Sequence, residues 1–143
     1  MRAIVNLSKS KIGALMVFTQ ATEEYFFSNT GVIIEAEISA KLLETIFAKN
    51  TPLHDGAVVI AENEVYAAGC VLPVSENPNL PPRIGMRHKA AVGITEAIPC
   101  HVIVVSEETG NIAIANRGKI RLNVSKAKLQ ATLAEILQKQ IKA

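Results

Sequence analysis

The stretch "TPLHDGAVVIAENEVYAAGCVL", residues 51–72, contains the pattern that most directly predicts the fold. The segment "AVVIAE" (57–62) is a short run rich in apolar, β-branched residues, and "EVYAAGCVL" (64–72) is a second apolar run. Such runs are typical of buried strands. Because only Asn63 separates them, we expect a tight turn at that residue and an antiparallel hairpin.

Directly before this hairpin stand His54, Asp55 and Gly56. Asp-Gly is a common turn dipeptide, since glycine tolerates positive φ and aspartate can hydrogen-bond its own backbone. A turn at the mouth of a buried strand is also where α/β proteins place reactive groups. The turn alone therefore leaves a structural and a functional interpretation open.

The flanking sequence mixes strand and helix patterns, which predicts a single α/β domain around a mixed sheet. A loop is expected over 73–85, which holds four of the six prolines. Further strands are predicted over 11–18, within 30–38, twice within 101–115 with a turn near Glu108 to Gly110, and over 118–124. The predicted helices are 39–50, with Ser39 as N-cap and Asn50 and Pro52 at its end, 86–98, and 125–141, with an apolar stripe of Leu129, Leu133, Ile136, Leu137 and Ile141.

The composition limits the class of function. With 143 residues and 49% hydrophobic residues, the chain suits one domain with a closed core. A net charge of +2 and an aromatic content of 4% argue against nucleic-acid binding, which needs many phosphate contacts or stacking side chains. No apolar run reaches the ~18 residues of a membrane span, and no signal-peptide pattern is seen. Cys70 and Cys100 lie in apolar surroundings, so we expect buried thiols in a reducing cytoplasm.

A second informative stretch is "RIGMRHKAA", in which Arg83, Arg87, His88 and Lys89 crowd the predicted start of a helix. Cations are disfavoured there, because a helix N-terminus carries roughly +0.5 charge. A bound phosphate would reverse the sign, since free N–H groups, an arginine fork and a histidine donor suit a polyphosphate. The alternative is a solvated basic turn.

A third stretch is "VVSEETG" (104–110), where Ser106, Glu107 and Glu108 follow a predicted strand. A charged hairpin tip is the usual meaning of such residues. Carboxylates near a phosphate site can also ligate a divalent cation, or accept hydrogen bonds from a ribose or from the arginine that grips the phosphate. Both interpretations stay open.

Taken together, the three motifs resemble the diadenylate cyclase domain of the cyclic di-AMP synthase family. "LHDGAVVI", "AAGCVLPVS", "RHKAAVGITE" and "VIVVSEETG" match it in the same order and at similar separations, and the resemblance covers nearly the whole chain, from "IGALMVF" (12–18) through "GKI" (118–120). We therefore expect residues 1–143 to be one diadenylate cyclase catalytic domain. It implies a mixed, twisted sheet flanked by helices. It also implies synthesis of cyclic di-AMP from two ATP molecules, with release of two pyrophosphates and with Mg²⁺, Mn²⁺ or Co²⁺ as the metal.

The resemblance also implies roles for individual residues. Asp55, in the DGA position, is expected to bind metal and to help deprotonate the ribose 3′-hydroxyl, and His54 is expected to ligate the same ion. The family's RHR element falls on Arg87, His88 and Lys89, of which the first two are expected on the ATP phosphates. The other expected ATP contacts are Gly56, Met86, Ser106, Glu107 and Glu108, with the adenine against Val71, Leu72 and Pro73.

Two residues depart from the family pattern. Met86 stands where the family usually has threonine, and Lys89 where it usually has arginine. Losing the hydroxyl removes a phosphate hydrogen bond of about 0.5–1.5 kcal/mol. This departure keeps open an alternative, a non-catalytic nucleotide-binding regulatory module of the same fold.

Ring closure requires two 3′-hydroxyls to attack two α-phosphates, so two sites are expected to face each other across the twofold axis of a homodimer. Because "MRAIVNLSKS" (1–10) is short, the helix that family members commonly carry ahead of "KIGAL" is expected to be nearly absent. That favours a catalytic domain excised from a longer protein, tethered at the cytoplasmic face of the membrane.

Two further functions are compatible with parts of the sequence. The first is a zinc hydrolase using His54, Asp55, His88 and His101, which is disfavoured because no two histidines have i, i+4 spacing. The second is a plain interaction domain, which leaves the cations at a helix start unexplained.

Overall fold

The structure is a computed structural model that describes residues 1–20 and 30–142. Within these residues one sheet of seven strands and four helices are seen. The strands are β1 (Ala14–Phe18), β2 (Val32–Glu37), β3 (Ala57–Ala61), β4 (Glu64–Cys70), β5 (His101–Val105), β6 (Ile112–Asn116) and β7 (Lys119–Arg121). The helices are α1 (Arg2–Lys9), α2 (Ala40–Phe47), α3 (Met86–Ala97) and α4 (Lys126–Lys142).

The sheet is mixed, as predicted. Its strand order is β2-β4-β3-β1-β5-β6-β7. β1 and β3 run parallel, with Met16 opposite Val58, and every other neighbouring pair of described strands is antiparallel. The β3–β4 hairpin has the expected tight turn, because Glu62 and Asn63 adopt φ values of 51° and 61°.

This topology brings several strand ends to one end of the sheet. Ala14 at the start of β1 pairs with Val105 at the end of β5. Ala57 at the start of β3 pairs with Cys70 at the end of β4. Because β1 and β3 are parallel, both pairs lie at the same end of the sheet. The turn before β3 and the loops after β4 and β5 therefore meet there.

Helices cover both faces of the sheet, which confirms the predicted α/β fold class. On one face, α1, α2 and α4 bury Leu7, Phe47 and Leu129 against the strands. On the other face α3 packs through Ala90 and Ala91 against small strand residues, which lets the helix backbone lie close to the sheet. Those small residues are Ala57, Ala67, Ala113 and Ala115.

Helix α2 begins as predicted, because the Ser39 hydroxyl accepts a hydrogen bond of 3.0 Å from the Leu42 amide. The helix ends at Phe47, shortly before Asn50, which has a φ of 67°. Cys70 and Cys100 are both buried, also as expected. In the part of the chain that the structure describes, no helix is both long and apolar enough to cross a bilayer.

Three expectations were wrong. The N-terminal segment forms helix α1, although it was expected to be too short, because its Ala3, Ile4 and Leu7 share one face and are buried in the core. Strand β7 has three residues rather than the seven of 118–124. Leu137 does not join the buried stripe of α4, since 40% of it is exposed. The side chain of Ile141 lies outside the described residues.

Candidate active site

The end of the sheet where β1 and β3 begin gathers the three motifs singled out from the sequence. Asp55 lies directly before β3, and Glu107 follows β5. Arg87, in the first turn of α3, reaches the same end, because its Nη1 lies 3.6 Å from Oε2 of Glu107. Residues separated by about 50 positions in sequence are therefore brought to the same end of the sheet.

The turn before β3 holds an exposed carboxylate on a rigid base. Asp55 is exposed, whereas every residue from Ala57 to Ile60 is buried. Gly56 has a φ of 136°, and a Cβ there would lie 2.8 Å from the carbonyl carbon of Gly69. The close approach of the β4 backbone therefore requires glycine at this position.

His54 is oriented by a backbone hydrogen bond. Its Nδ1 lies 2.7 Å from the carbonyl oxygen of Thr51. Because a carbonyl oxygen only accepts, Nδ1 carries the proton, and Nε2 is left with a lone pair for a metal ion. This is the arrangement in which histidine commonly ligates metals.

A divalent ion fits the donors that this turn offers, an imidazole nitrogen and the exposed carboxylate of Asp55. Manganese and cobalt accept both donor types, and magnesium commonly takes one or two carboxylates together with substrate phosphates. Among the described residues, no group of three or more histidine, cysteine or acidic side chains is arranged to hold a metal ion. The remaining ligands of an ion held at this turn would come from water or from substrate phosphates, as is common for magnesium.

The start of α3 is rich in positive charge and in unpaired donors. Gly85 is its N-cap, so no side chain caps the free N–H groups, and the first turn contains no acidic residue. Within the described residues, Nε of Arg87 and Nδ1 of His88 are buried and have no hydrogen-bond partner. Buried polar atoms of this kind require an explanation, and an anionic ligand would supply the missing acceptors.

The pKa of His88 is lowered below its usual value of 6.5, first by burial and then by the positive charge of Arg87. The imidazole is consequently neutral at neutral pH in the free protein. An anion placed beside it would raise that pKa, since negative charge favours the protonated form.

The loop after β5 serves both as a hairpin tip and as part of the site. The hydroxyl oxygen of Ser106 accepts hydrogen bonds from the amides of Glu108, at 3.2 Å, and Thr109, at 3.3 Å. Glu107 and Glu108 are exposed on this turn. Since Glu107 also forms the ion pair with Arg87, this loop can be a charged hairpin tip and still place a carboxylate beside the arginine expected to bind phosphate.

Of the three residues expected to contact adenine, two are exposed and one is buried. Val71 is 63% exposed and Pro73 is exposed, both just beyond β4. Leu72 is 6% exposed and packs in the core under α3. Only Val71 and Pro73 therefore present a surface on which a base could stack.

Two of the basic residues near the start of α3 line a cavity under the proline-containing loop. Arg83 and Lys89 line this cavity, which has a volume of about 420 Å³ and whose lining does not include Arg87 or His88. Lys89 follows Arg87 by two positions, and residues at that spacing do not share a helix face. Besides these two residues, the cavity is lined by Ser75, Glu76, Asn77, Pro78, Leu80, Pro81, Pro82 and Ile84.

His101 lies far from the other candidates. It begins β5 and pairs with Phe18, at the opposite end of the sheet from Val105 and Glu107. A zinc site made of His54, Asp55, His88 and His101 is thus incompatible with the topology.

Gly13 lies against the Arg87 guanidinium, although none of the three sequence motifs includes it. It precedes β1, and a Cβ built on it would lie 2.6 Å from Nη1 of Arg87. The available signal was an isolated glycine at the start of an apolar run, which often marks the close approach of another group. That signal does not identify the approaching group, which comes from more than 70 residues further along the chain.

Comparison with known proteins assigns the family. Residues 1–120 match the family model DAC, described as "DisA bacterial checkpoint controller nucleotide-binding". The chain therefore belongs to this DAC family. It is 40% identical over 141 residues to "Cyclic di-AMP synthase CdaA" of Bacillus subtilis (strain 168), and the aligned residues make up 99% of this chain and 50% of the relative. It is 43% identical over 131 residues to a "Diadenylate cyclase" of Listeria monocytogenes, which covers 92% of this chain and 48% of the relative.

Solved structures share the fold. The crystal structure of a double mutant of DacA from Staphylococcus aureus has a TM-score of 0.89 at 40% identity, covering 94% of this chain and 89% of that one. A "hypothetical membrane spanning protein from Bacillus cereus" has a TM-score of 0.79 at 37% identity, covering 87% and 61%. The chain spans about half the length of the curated relatives cited above.

Proposed function

We propose that this chain is the catalytic domain of a diadenylate cyclase, which joins two ATP molecules into cyclic di-AMP and releases two pyrophosphates. The observation that carries the proposal is the meeting of Asp55, Arg87 and Glu107 at one end of the sheet, with buried donors of Arg87 and His88 that lack an acceptor. The names of the relatives from Bacillus subtilis and Listeria monocytogenes support the same activity.

In this proposal Arg87 and His88 bind the ATP phosphates. The guanidinium of Arg87 supplies charge-assisted hydrogen bonds to phosphate oxygens, and its ion pair with Glu107 holds it at the end of the sheet. His88 donates from the buried Nδ1 that has no partner within the described residues. The uncapped N–H groups at the start of α3 add further donors.

The adenine is proposed to lie against Val71 and Pro73, which are exposed beyond β4. Gly56 and Met86 border the nucleotide, and Ser106 and Glu108 close the side opposite α3. Leu72 supports this surface from the core rather than contacting the base.

Asp55 is the proposed catalytic residue. Its carboxylate accepts a hydrogen bond from the ribose 3′-hydroxyl and removes the proton as the 3′-oxygen bonds to the α-phosphorus of the other ATP. The bond from that phosphorus to the pyrophosphate oxygen breaks in the same displacement. Mg²⁺, Mn²⁺ or Co²⁺, held by Asp55 and by Nε2 of His54, would neutralise phosphate oxygens and lower the pKa of the attacking hydroxyl.

The proposal includes a homodimer. One site holds one ATP, so the two displacements need two sites facing each other across a twofold axis. Because ATP is a cytoplasmic substrate, the domain is proposed to work in the cytoplasm, at the cytoplasmic face of the membrane in a longer protein.

The experiment is incubation of the purified chain with ATP and Mn²⁺, followed by chromatographic detection of cyclic di-AMP and pyrophosphate. We expect one cyclic di-AMP to be formed for every two pyrophosphates released. An alternative is a non-catalytic nucleotide-binding module, favoured by Met86, which is 66% exposed and lacks the usual hydroxyl. ATP binding without product at any Mn²⁺, Mg²⁺ or Co²⁺ concentration would favour that alternative.

A further inference from the structure

The guanidinium of Arg87 lies against the backbone of Gly13, at the start of β1. A Cβ at position 13 would come within 2.6 Å of Nη1, 2.7 Å of Cζ and 3.2 Å of Nη2 of that arginine. Cβ atoms in proteins essentially never lie within 3.0 Å of another non-bonded heavy atom, so one of the two groups would have to move. The guanidinium therefore occupies the space that any side chain at position 13 would take.

Two groups define where this guanidinium sits. Gly13 contacts it on one side, and Oε2 of Glu107 lies 3.6 Å from Nη1. The Arg87 side chain is 21% exposed, so it is largely enclosed while still reaching solvent. Its backbone is fixed in α3, which is anchored to the sheet through buried Ala90 and Ala91.

We propose that Gly13 is a positioning residue for ATP binding, because its lack of a side chain seats the Arg87 guanidinium beside Glu107 at the end of the sheet that carries Asp55. This inference rests on the proposed function, in which Arg87 binds the ATP phosphates. Gly13 itself needs no contact with ATP. It acts by leaving room for the group that makes the contact.

The structure indicates which group would move if a methyl group were added at position 13. The atoms that it would meet belong to the end of a flexible arginine side chain. The backbone on the other side is held, since Ala14 pairs with Val105 in the sheet. Gly13 is not among the glycines with positive φ, so alanine introduces no backbone strain there. Arg87 is thus expected to move away while the fold persists.

The test is a double-mutant cycle with Gly13→Ala, Arg87→Ala and the variant carrying both changes. The probe is 3′-deoxy-ATP with Mg²⁺, which keeps the phosphates but lacks the attacking hydroxyl, and its Kd is measured by calorimetry. Arg87→Ala is expected to raise the Kd about tenfold or more, the loss typical of a charge-assisted hydrogen bond. Gly13→Ala is expected to cause most of the same rise.

The double variant distinguishes positioning from a general structural role. If Gly13 acts through Arg87, adding Gly13→Ala to Arg87→Ala changes the Kd no further, because the group to be positioned is already gone. A further rise of similar size in the Arg87→Ala background would show that Gly13 acts in another way and would overturn the inference. So would a wild-type Kd for Gly13→Ala when Arg87→Ala binds weakly.

Failure of the proposed function gives a different result. If Arg87→Ala itself binds 3′-deoxy-ATP as tightly as the wild type, the phosphate role of Arg87 is wrong, whatever Gly13→Ala does. If Gly13→Ala alone does not fold, the melting temperature of the double variant tests whether the added methyl group overlaps the Arg87 side chain. Recovery of its melting temperature supports the overlap with Arg87, and continued unfolding contradicts it.

Discussion

Replacing Gly56 by alanine tests the turn that carries Asp55. Gly56 has a φ of 136°, a conformation that residues with a side chain rarely adopt. An added Cβ would also lie 2.8 Å from the carbonyl carbon and 3.0 Å from the Cα of Gly69. Both atoms belong to the backbone of β4, which is held in the hairpin and cannot move aside cheaply.

The expected loss of stability follows from these two effects. A residue forced into a sparsely populated backbone region costs about 1–3 kcal/mol, and insertion of a group into a packed site costs about 1–3 kcal/mol more. The free energy of unfolding should therefore fall by at least about 2 kcal/mol, out of the roughly 5–15 kcal/mol typical of such domains. With an m-value of about 2 kcal/mol per molar urea, the midpoint should drop by about 1 M or more.

Urea unfolding followed by circular dichroism measures this change, and Gly85→Ala is a matched control. Gly85 has a φ of −81°, and the nearest atom to a Cβ there is 3.8 Å away. Its alanine variant should stay within about 1 kcal/mol of the wild type, because a lost N-cap preference opposes the lower entropy of the unfolded chain. Equal midpoints for the Gly56→Ala and wild-type proteins would refute the reasoning about the turn.

Three other predictions concern the site and its assembly. The pKa of His88 is lowered in the folded state, so the unfolded state binds more protons and the free energy of unfolding should fall as the pH drops below about 6.5. Urea titrations at pH 7 and pH 5 should show a smaller fall for His88→Gln, and an equal fall would contradict the burial of that imidazole. Burial raises the pKa of Cys70 to about 11 and of Cys100 to about 12, so iodoacetamide at pH 8 should label neither thiol until urea is added. Specific activity should rise with protein concentration until the dimer saturates, and activity from a species that sediments as a monomer would exclude facing sites.

The elements that the sequence predicted well depend on local patterns. The β3–β4 hairpin follows from two apolar runs around Asn63, whose positive φ makes the turn. Helix α2 follows from the Ser39 cap and from apolar residues at helical spacing. In both cases the interactions join residues that are close in sequence.

The parts that escaped prediction depend on contacts between distant segments. Helix α1 is stable because Leu7 is buried in the core, which a ten-residue window does not reveal. Likewise, the pattern of α4 does not distinguish Leu137, which is exposed, from Leu133, which is buried. The contact between the Arg87 guanidinium and Gly13 depends on the topology, because α3 packs beside β1 although the two elements are far apart in sequence.

The motifs of the candidate site were found by their residue types, but their meeting at one end of the sheet depends on the topology. β1 lies between β3 and β5, so the turn at Asp55 and the loop at Glu107 flank the same strand. No spacing rule in the sequence states this order. Conversely, Lys89 follows Arg87 closely in sequence and yet lines a cavity under the proline-containing loop that Arg87 does not line.

The most direct test of the proposed activity is Asp55→Asn, which removes one negative charge and keeps the shape. Asp55 is exposed, and asparagine suits the same turn, so the free energy of unfolding should stay within about 0.5 kcal/mol. The measurement is cyclic di-AMP formed per hour from ATP and Mn²⁺ by both proteins, with 3′-deoxy-ATP binding as the control. We predict that synthesis falls by about a hundredfold or more while the nucleotide still binds, because the lost charge acts mainly as the transition state forms. A folded Asp55→Asn variant that makes cyclic di-AMP at nearly the wild-type rate would contradict the catalytic assignment and leave Asp55 as a turn residue only.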